Sequence, residues 1–191
     1  MILSVAFAFS YQDGIFGMSI EKLPVFALIS FIAVGIGFLA HELIGHKAIS
    51  MRYGFHAEYR MWQTGLFIAF ITSLFGFVFA APGAVHVSPR VDLWGQPENV
   101  SRRKMGIVSM AGPVVNIILA AIFYILNTFS PLLLFGESVF GIAMFVNVWL
   151  ALFNMLPIPP LDGSKVFVWD RRVWMALFAA CIGVFAALTA V

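Results

Sequence analysis

Residues 24–40 run for seventeen positions without one ionisable side chain. A helix of that composition has no polar face to turn to water, so it must be surrounded by other apolar matter. Further apolar runs follow at 65–85, 106–129, 140–156 and 173–191. A chain of 191 residues cannot bury all of them in one soluble core. Composition agrees, with 62% hydrophobic and only 10% charged residues, far from the balance of a water-soluble domain. The bilayer is therefore the solvent, and every backbone polar group within it must be bonded inside the protein. The expectation is an all-α polytopic membrane protein in the cell membrane, with a small membrane-associated β element. About four helices span, and one segment re-enters.

The first long run does not end in a polar loop. It continues into His41-Glu42-Leu43-Ile44-Gly45-His46-Lys47. Ionisable groups inside an apolar helix are costly and mark a functional site by default. Two imidazoles with a glutamate after the first suggest a zinc hydrolase: His41 and His46 hold the metal, and Glu42 handles the proton of a water. The usual spacing is H-E-x-x-H, with histidines at i and i+4. Here they are five apart, roughly 140° around a regular helix at about 100° per residue. A π-turn, which closes i to i+5, would bring them to one face, and Gly45 eases the distortion. The dipeptidyl peptidase III family carries a similar HELLGH motif in which both histidines hold zinc.

The rest of the chain supplies the topology. Residues 1–11 are apolar but short, without a basic leader, and read as a strand or partial helix rather than a signal peptide. A helix is expected from Pro24 to about Met51, with Gly54 as its stop. Residues 55–62 alternate apolar and polar, the pattern of a half-buried strand that can receive a peptide at its edge. If 65–85 returns to its starting side, ten of the eleven basic residues share one side and only Lys22 stands on the other. Positive residues stay cytoplasmic, so the re-entrant reading is preferred. A polar loop with Pro89 and Pro97 fills 86–105, and Asn99-Val100-Ser101 within it is a chance-level glycosylation match. His56 and His86 read as surface histidines. Asn116 and Asn147 read as polar contacts between helices. Cys181 reads as a lipid- or helix-facing residue that excludes an intrachain disulfide. No basic run tracks nucleic acid.

Asn154-Met155-Leu156-Pro157-Ile158-Pro159-Pro160-Leu161-Asp162-Gly163 ends the fourth apolar run. The prolines stop the helix and hold an extended backbone, so Asp162 sits on a rigid turn. With 65–85 re-entrant, His41 and Asp162 arrive at similar depth on the same, cytoplasmic, face. Two imidazoles, a carboxylate and a water make the open shell of one catalytic Zn2+.

The His-Glu motif, the Ala-Gly-Pro-x-x-Asn stretch at 111–116 and the Asn-x-x-Pro-x-Pro-Pro-Leu-Asp-Gly stretch at 154–163 together resemble the site-2 protease family of intramembrane zinc metalloproteases. The resemblance implies a single domain over 1–191, comprising an N-terminal segment 1–22, a motif-bearing core 23–165 and a last helix 173–191. It implies Asp162 as third metal ligand and Asn154 as a residue that binds substrate or stabilises the oxyanion. The substrate implied is a transmembrane protein, cut in or near its membrane segment. The extra residue in the motif is the departure from the family. It keeps open a metal-free scaffold for membrane helices, and a metal-handling membrane protein is a third reading. Oligomeric state is not legible.

Overall fold

The computed structural model describes residues 1–17, 19–79, 83–88 and 100–189. Pro82, most of the 86–105 loop with Pro89 and Pro97, and Asn99 lie outside them. The protein is mostly helical. In chain order the helices are α1 Ile2–Ser10, α2 Leu23–Leu39, a π-helical segment Ala40–Lys47, α3 Ala48–Arg52, α4 Gln63–Ser73, α5 Arg102–Phe129, α6 Val139–Asn154, α7 Asp162–Trp169 and α8 Arg171–Thr189. Two antiparallel pairs accompany them, β1 His56–Met61 with β2 Gly83–Ser88, and β3 Leu133–Leu134 with β4 Glu137–Ser138.

Residues 1–11 settle as α1, which packs on α2 and α4. Pro24 stands in the first turn of α2, where a missing N–H costs nothing. From there α2, the π segment and α3 form one continuous rod of 30 residues. At about 1.5 Å per residue it is roughly 45 Å long, ample for a bilayer core of about 30 Å. Helices α5 and α8 are also long and apolar enough to cross. Helix α6, at 16 residues, is shorter. Among the described residues, then, three helices meet the length and composition for crossing rather than four, and such helices suggest a membrane protein.

The segment after β1 turns back. Helix α4 has 11 residues, about 16 Å, too short to cross. The strands on either side of it pair in register, Met61 opposite Gly83 and His56 opposite Ser88. The chain therefore leaves and rejoins at the same place. The return leg is fastened to α6 by the Trp149 indole N–H, which donates to the Val78 carbonyl at 2.8 Å.

Three sequence expectations need correction. The 86–105 loop ends early: the Ser101 hydroxyl accepts from the Lys104 N–H at 3.2 Å and starts α5 at Arg102, the usual work of an N-cap serine. Residues after Asp162 form α7 rather than only a turn. Along 55–61 the alternation buries Phe55 and Ala57 but leaves Tyr59 39% and Met61 58% exposed. Those two line a groove of about 440 Å³ bordered by α1, α2 and α4.

Helix α5 is the central element, packed against the π segment, α6 and α7. The main core joins α1, α2 and α6 around Phe7, Ile29, Ile142 and Leu150. A smaller cluster of Ala151, Met155, Val166 and Cys181 ties α6 and α7 to α8, so Cys181 faces helices. Lipid is as apolar as leucine, so such contacts hold through close packing more than through water exclusion.

Candidate metal centre

The five-residue spacing of the histidines is met by the backbone. Residues 40–47 are π-helical, and the Ala48 N–H bonds the Leu43 carbonyl, five residues back. His41 and His46 thereby share a face. Their rings meet edge to face with centroids 4.7 Å apart, and their Nε2 atoms stand 3.0 Å apart. The stretched motif no longer speaks against a shared ion.

The wider segment fits because α5 gives way. A Cβ on Gly45 would lie 2.6 Å from the Gly112 Cα, and a Cβ on Gly112 would lie 2.5 Å from His41 Nε2. Two glycines thus let the backbones touch and leave a hollow facing both imidazoles. Helix α7 delivers the third group. Asp162 Oδ2 lies 2.9 Å from His46 Nε2 and 3.3 Å from His41 Nε2. Its other oxygen accepts from Lys165 Nζ at 3.2 Å. His41, His46 and Asp162 are all buried.

The hydrogen bonds fix the tautomer of each neutral ring in this cluster. His46 Nδ1 is 2.9 Å from the Val108 carbonyl, and His41 Nδ1 is 2.5 Å from Asn116 Oδ1. Both oxygens can only accept, so each neutral imidazole carries its proton on Nδ1 and turns an Nε2 lone pair inward. Two lone pairs and a carboxylate oxygen then face one another with no proton among them. They repel unless a cation sits between them. Donors about 2.0–2.1 Å from a tetrahedral zinc stand roughly 3.3 Å from each other, close to the separations found. Nδ1 bonds to oxygen also orient metal-bound histidines elsewhere. The donor set fits a metal ion.

Glu42 lies beside the cluster. One donor atom each from His41, Glu42 and His46 falls within 4.8 Å of the others. Glu42 is buried, and its Oε2 has no hydrogen-bond partner among the described residues. A cavity of about 10 Å³ is lined by Glu42, His46, Gly83, Asn154, Pro160, Leu161 and Asp162, room for about one water or ion. Asn154 spends one N–H on the Leu150 carbonyl at 2.9 Å; an amide nitrogen carries a second. Partial burial, with the Glu42 carboxylate adding to it, pushes the Tyr59 phenol up to about 12. His56 and His86 are exposed on the sheet and take no part.

No protein-family model matches the chain. A protein of Methanocaldococcus jannaschii named "Putative zinc metalloprotease MJ0611" is 40% identical over 185 residues, 95% of this chain and 87% of that one. The chain belongs to this zinc metalloprotease family. A second protein of that organism, "Zinc metalloprotease MJ0392", is 22% identical over 152 residues, 80% of this chain and 37% of its own. "Putative zinc metalloprotease YwhC" of Bacillus subtilis is 38% identical over 90 residues, 38% of this chain and 41% of its own. For this metalloprotease the metal implied is zinc.

Sequence reasoning named His41, Glu42, His46, Asn154 and Asp162; in the structure Glu42, His46, Asn154 and Asp162 line one small cavity, and His41 Nε2 stands 3.0 Å from His46 Nε2. It missed three neighbours. Asn116 reads in the sequence as an interhelical contact, and in the structure it bonds His41. Lys165 is one helical turn after Asp162. Gly112 lies four residues before Asn116, one turn along the same face of α5, a spacing that points both at one neighbour.

Proposed function

We propose that this chain is an intramembrane zinc metalloprotease of the site-2 protease kind, hydrolysing a peptide bond in or near a transmembrane segment of a membrane-protein substrate. The observation that carries the reading is the meeting of His41 Nε2, His46 Nε2 and Asp162 Oδ2, from positions 121 residues apart, around a helix of spanning length. These three atoms would hold one zinc ion, which when bound polarises a carbonyl and makes a water acidic enough to attack near neutral pH.

The chain's own groups do the rest. Glu42, with an unpartnered oxygen in the cavity, takes a proton from the attacking water and returns one to the leaving amine nitrogen. Asn154 turns its second N–H toward the carbonyl oxygen as negative charge builds there. The pocket holds no more than about one water, so a peptide enters only if a wall moves. Gly83 on β2 is part of that wall. The β1–β2 ribbon shifts and takes the unwound substrate along an edge by strand addition.

In this reading α2, α5, α6 and α8 cross the bilayer, the 65–85 segment re-enters, and the site lies toward the cytoplasm. The partners are the lipid bilayer and a transmembrane substrate. The test is purified, reconstituted protein with a membrane-spanning peptide. Expected are one zinc per chain, cleavage abolished by a chelator, and recovery on adding zinc. Zinc-free protein with no recoverable cleavage overturns the proposal.

A further inference from the structure

We propose that Asn147, which touches neither histidine, is a positioning residue. Acting through Asn116, it sets which nitrogen of His41 faces the metal site. The inference rests on the metal reading of the His41–His46–Asp162 cluster.

The direction of the amide chain follows from atoms that cannot donate. Asn147 approaches the Ala143 carbonyl at 2.8 Å. That oxygen only accepts, so the Asn147 atom there is Nδ2, and its Oδ1 faces α5. Asn116 meets this Oδ1 at 2.9 Å and the Gly37 carbonyl at 3.2 Å. Both are acceptors, so Asn116 turns Nδ2 to them and spends both of its hydrogens. Its oxygen is left for His41 Nδ1. The neutral imidazole therefore carries its proton on Nδ1 and its lone pair on Nε2.

Reversing His41 would require Asn116 to flip. Its oxygen would then face the Gly37 carbonyl and Asn147 Oδ1 together, two acceptor–acceptor contacts between buried groups. Both asparagines are fully buried, and unpaired polar groups there are expensive. The packing leaves no slack, since a Cβ on Gly37 would lie 2.7 Å from Asn147 Oδ1. His46 needs no such relay because a main-chain carbonyl, Val108, holds it directly.

The test compares Asn147→Leu, Asn147→Ala and Asn147→Asp with the parent chain in detergent. An aspartic acid buried there stays protonated, matches the shape of asparagine, donates to Ala143 and still accepts from Asn116. Two readouts are taken: zinc affinity by competition with a chromophoric chelator, and the tautomer of His41 from 15N-histidine NMR of metal-free protein. Asn147→Leu and Asn147→Ala should weaken zinc about tenfold, the lower end of what lost outer partners cost, and should show mixed His41 tautomers. Asn147→Asp should stay near the parent in both. A folded Asn147→Ala with parental affinity and a pure Nδ1–H tautomer overturns the proposal, even if its melting temperature falls. If the parent binds no zinc, the metal reading fails, and the tautomer comparison still decides the relay.

Discussion

Substituting Gly112 by alanine is the sharpest perturbation of the centre, because it adds one methyl group in the hollow that faces both histidines. That methyl would lie 2.5 Å from His41 Nε2 and 2.7 Å from His46 Cε1, against 3.4 Å or more in ordinary contact. The overlap is thus about 0.9 Å at the ligand atom. The rings can turn away, or α5 can move off the π segment. Overpacking of this kind costs about 1–3 kcal/mol, and a metal site tolerates only about 0.2 Å in its ligand distances. Zinc affinity should fall by about 100-fold or more, beyond the 10–100-fold typical of losing an outer partner. Metal content and chelator competition on purified protein measure this, with thermal unfolding alongside. Gly35→Ala is the control. Nothing lies within 4 Å of its new methyl, so zinc should be unchanged and the helix gain about 0.5–1 kcal/mol. A Gly112→Ala protein that keeps one zinc at parental affinity would refute the proposed placement of the donors around that hollow.

Glu42→Gln should keep its zinc and lose cleavage by about 10²–10⁴-fold, as expected for a proton carrier; unchanged turnover in a peptide assay removes Glu42 from that role. Deleting Ile44 should turn the π segment into ordinary helix with histidines at i and i+4, leaving later residues on their present faces. Zinc should then bind within about tenfold of the parent, whereas lost binding would mean the π turn is itself required. Asp162→Ala should cost far more zinc affinity than Lys165→Met, because Lys165 touches only the outer Asp162 oxygen at 3.2 Å and is part-exposed. Equal losses by chelator competition would count against Oδ2 as the inner donor.

Local chemistry was legible where one residue type carried it. The ionisable cluster stood out because the seventeen residues before it have none. The helix start at Pro24 is legible in the sequence, whereas the start capped by Ser101 emerges only in the structure. The alternation at 55–62 holds for Phe55 and Ala57, whereas Tyr59 and Met61 stay open because they line the groove bordered by α1, α2 and α4. In the sequence Asn116 and Asn147 read as polar contacts between helices but carry no direction, since direction depends on which carbonyls of α2 and α6 lie opposite them.

The sequence by itself determined the apolar character that suggests a membrane protein, the long helices and the kinds of side chain able to hold a metal. All of these follow from composition and from periods of a few residues. Only the tertiary structure decided that five-residue spacing could serve one ion, because the π turn is accommodated by glycine-to-glycine contact with α5. It alone also brought Asp162 to the histidines across 121 positions and turned both Nε2 lone pairs inward. Those outcomes depend on contacts between helices, which no single helix encodes.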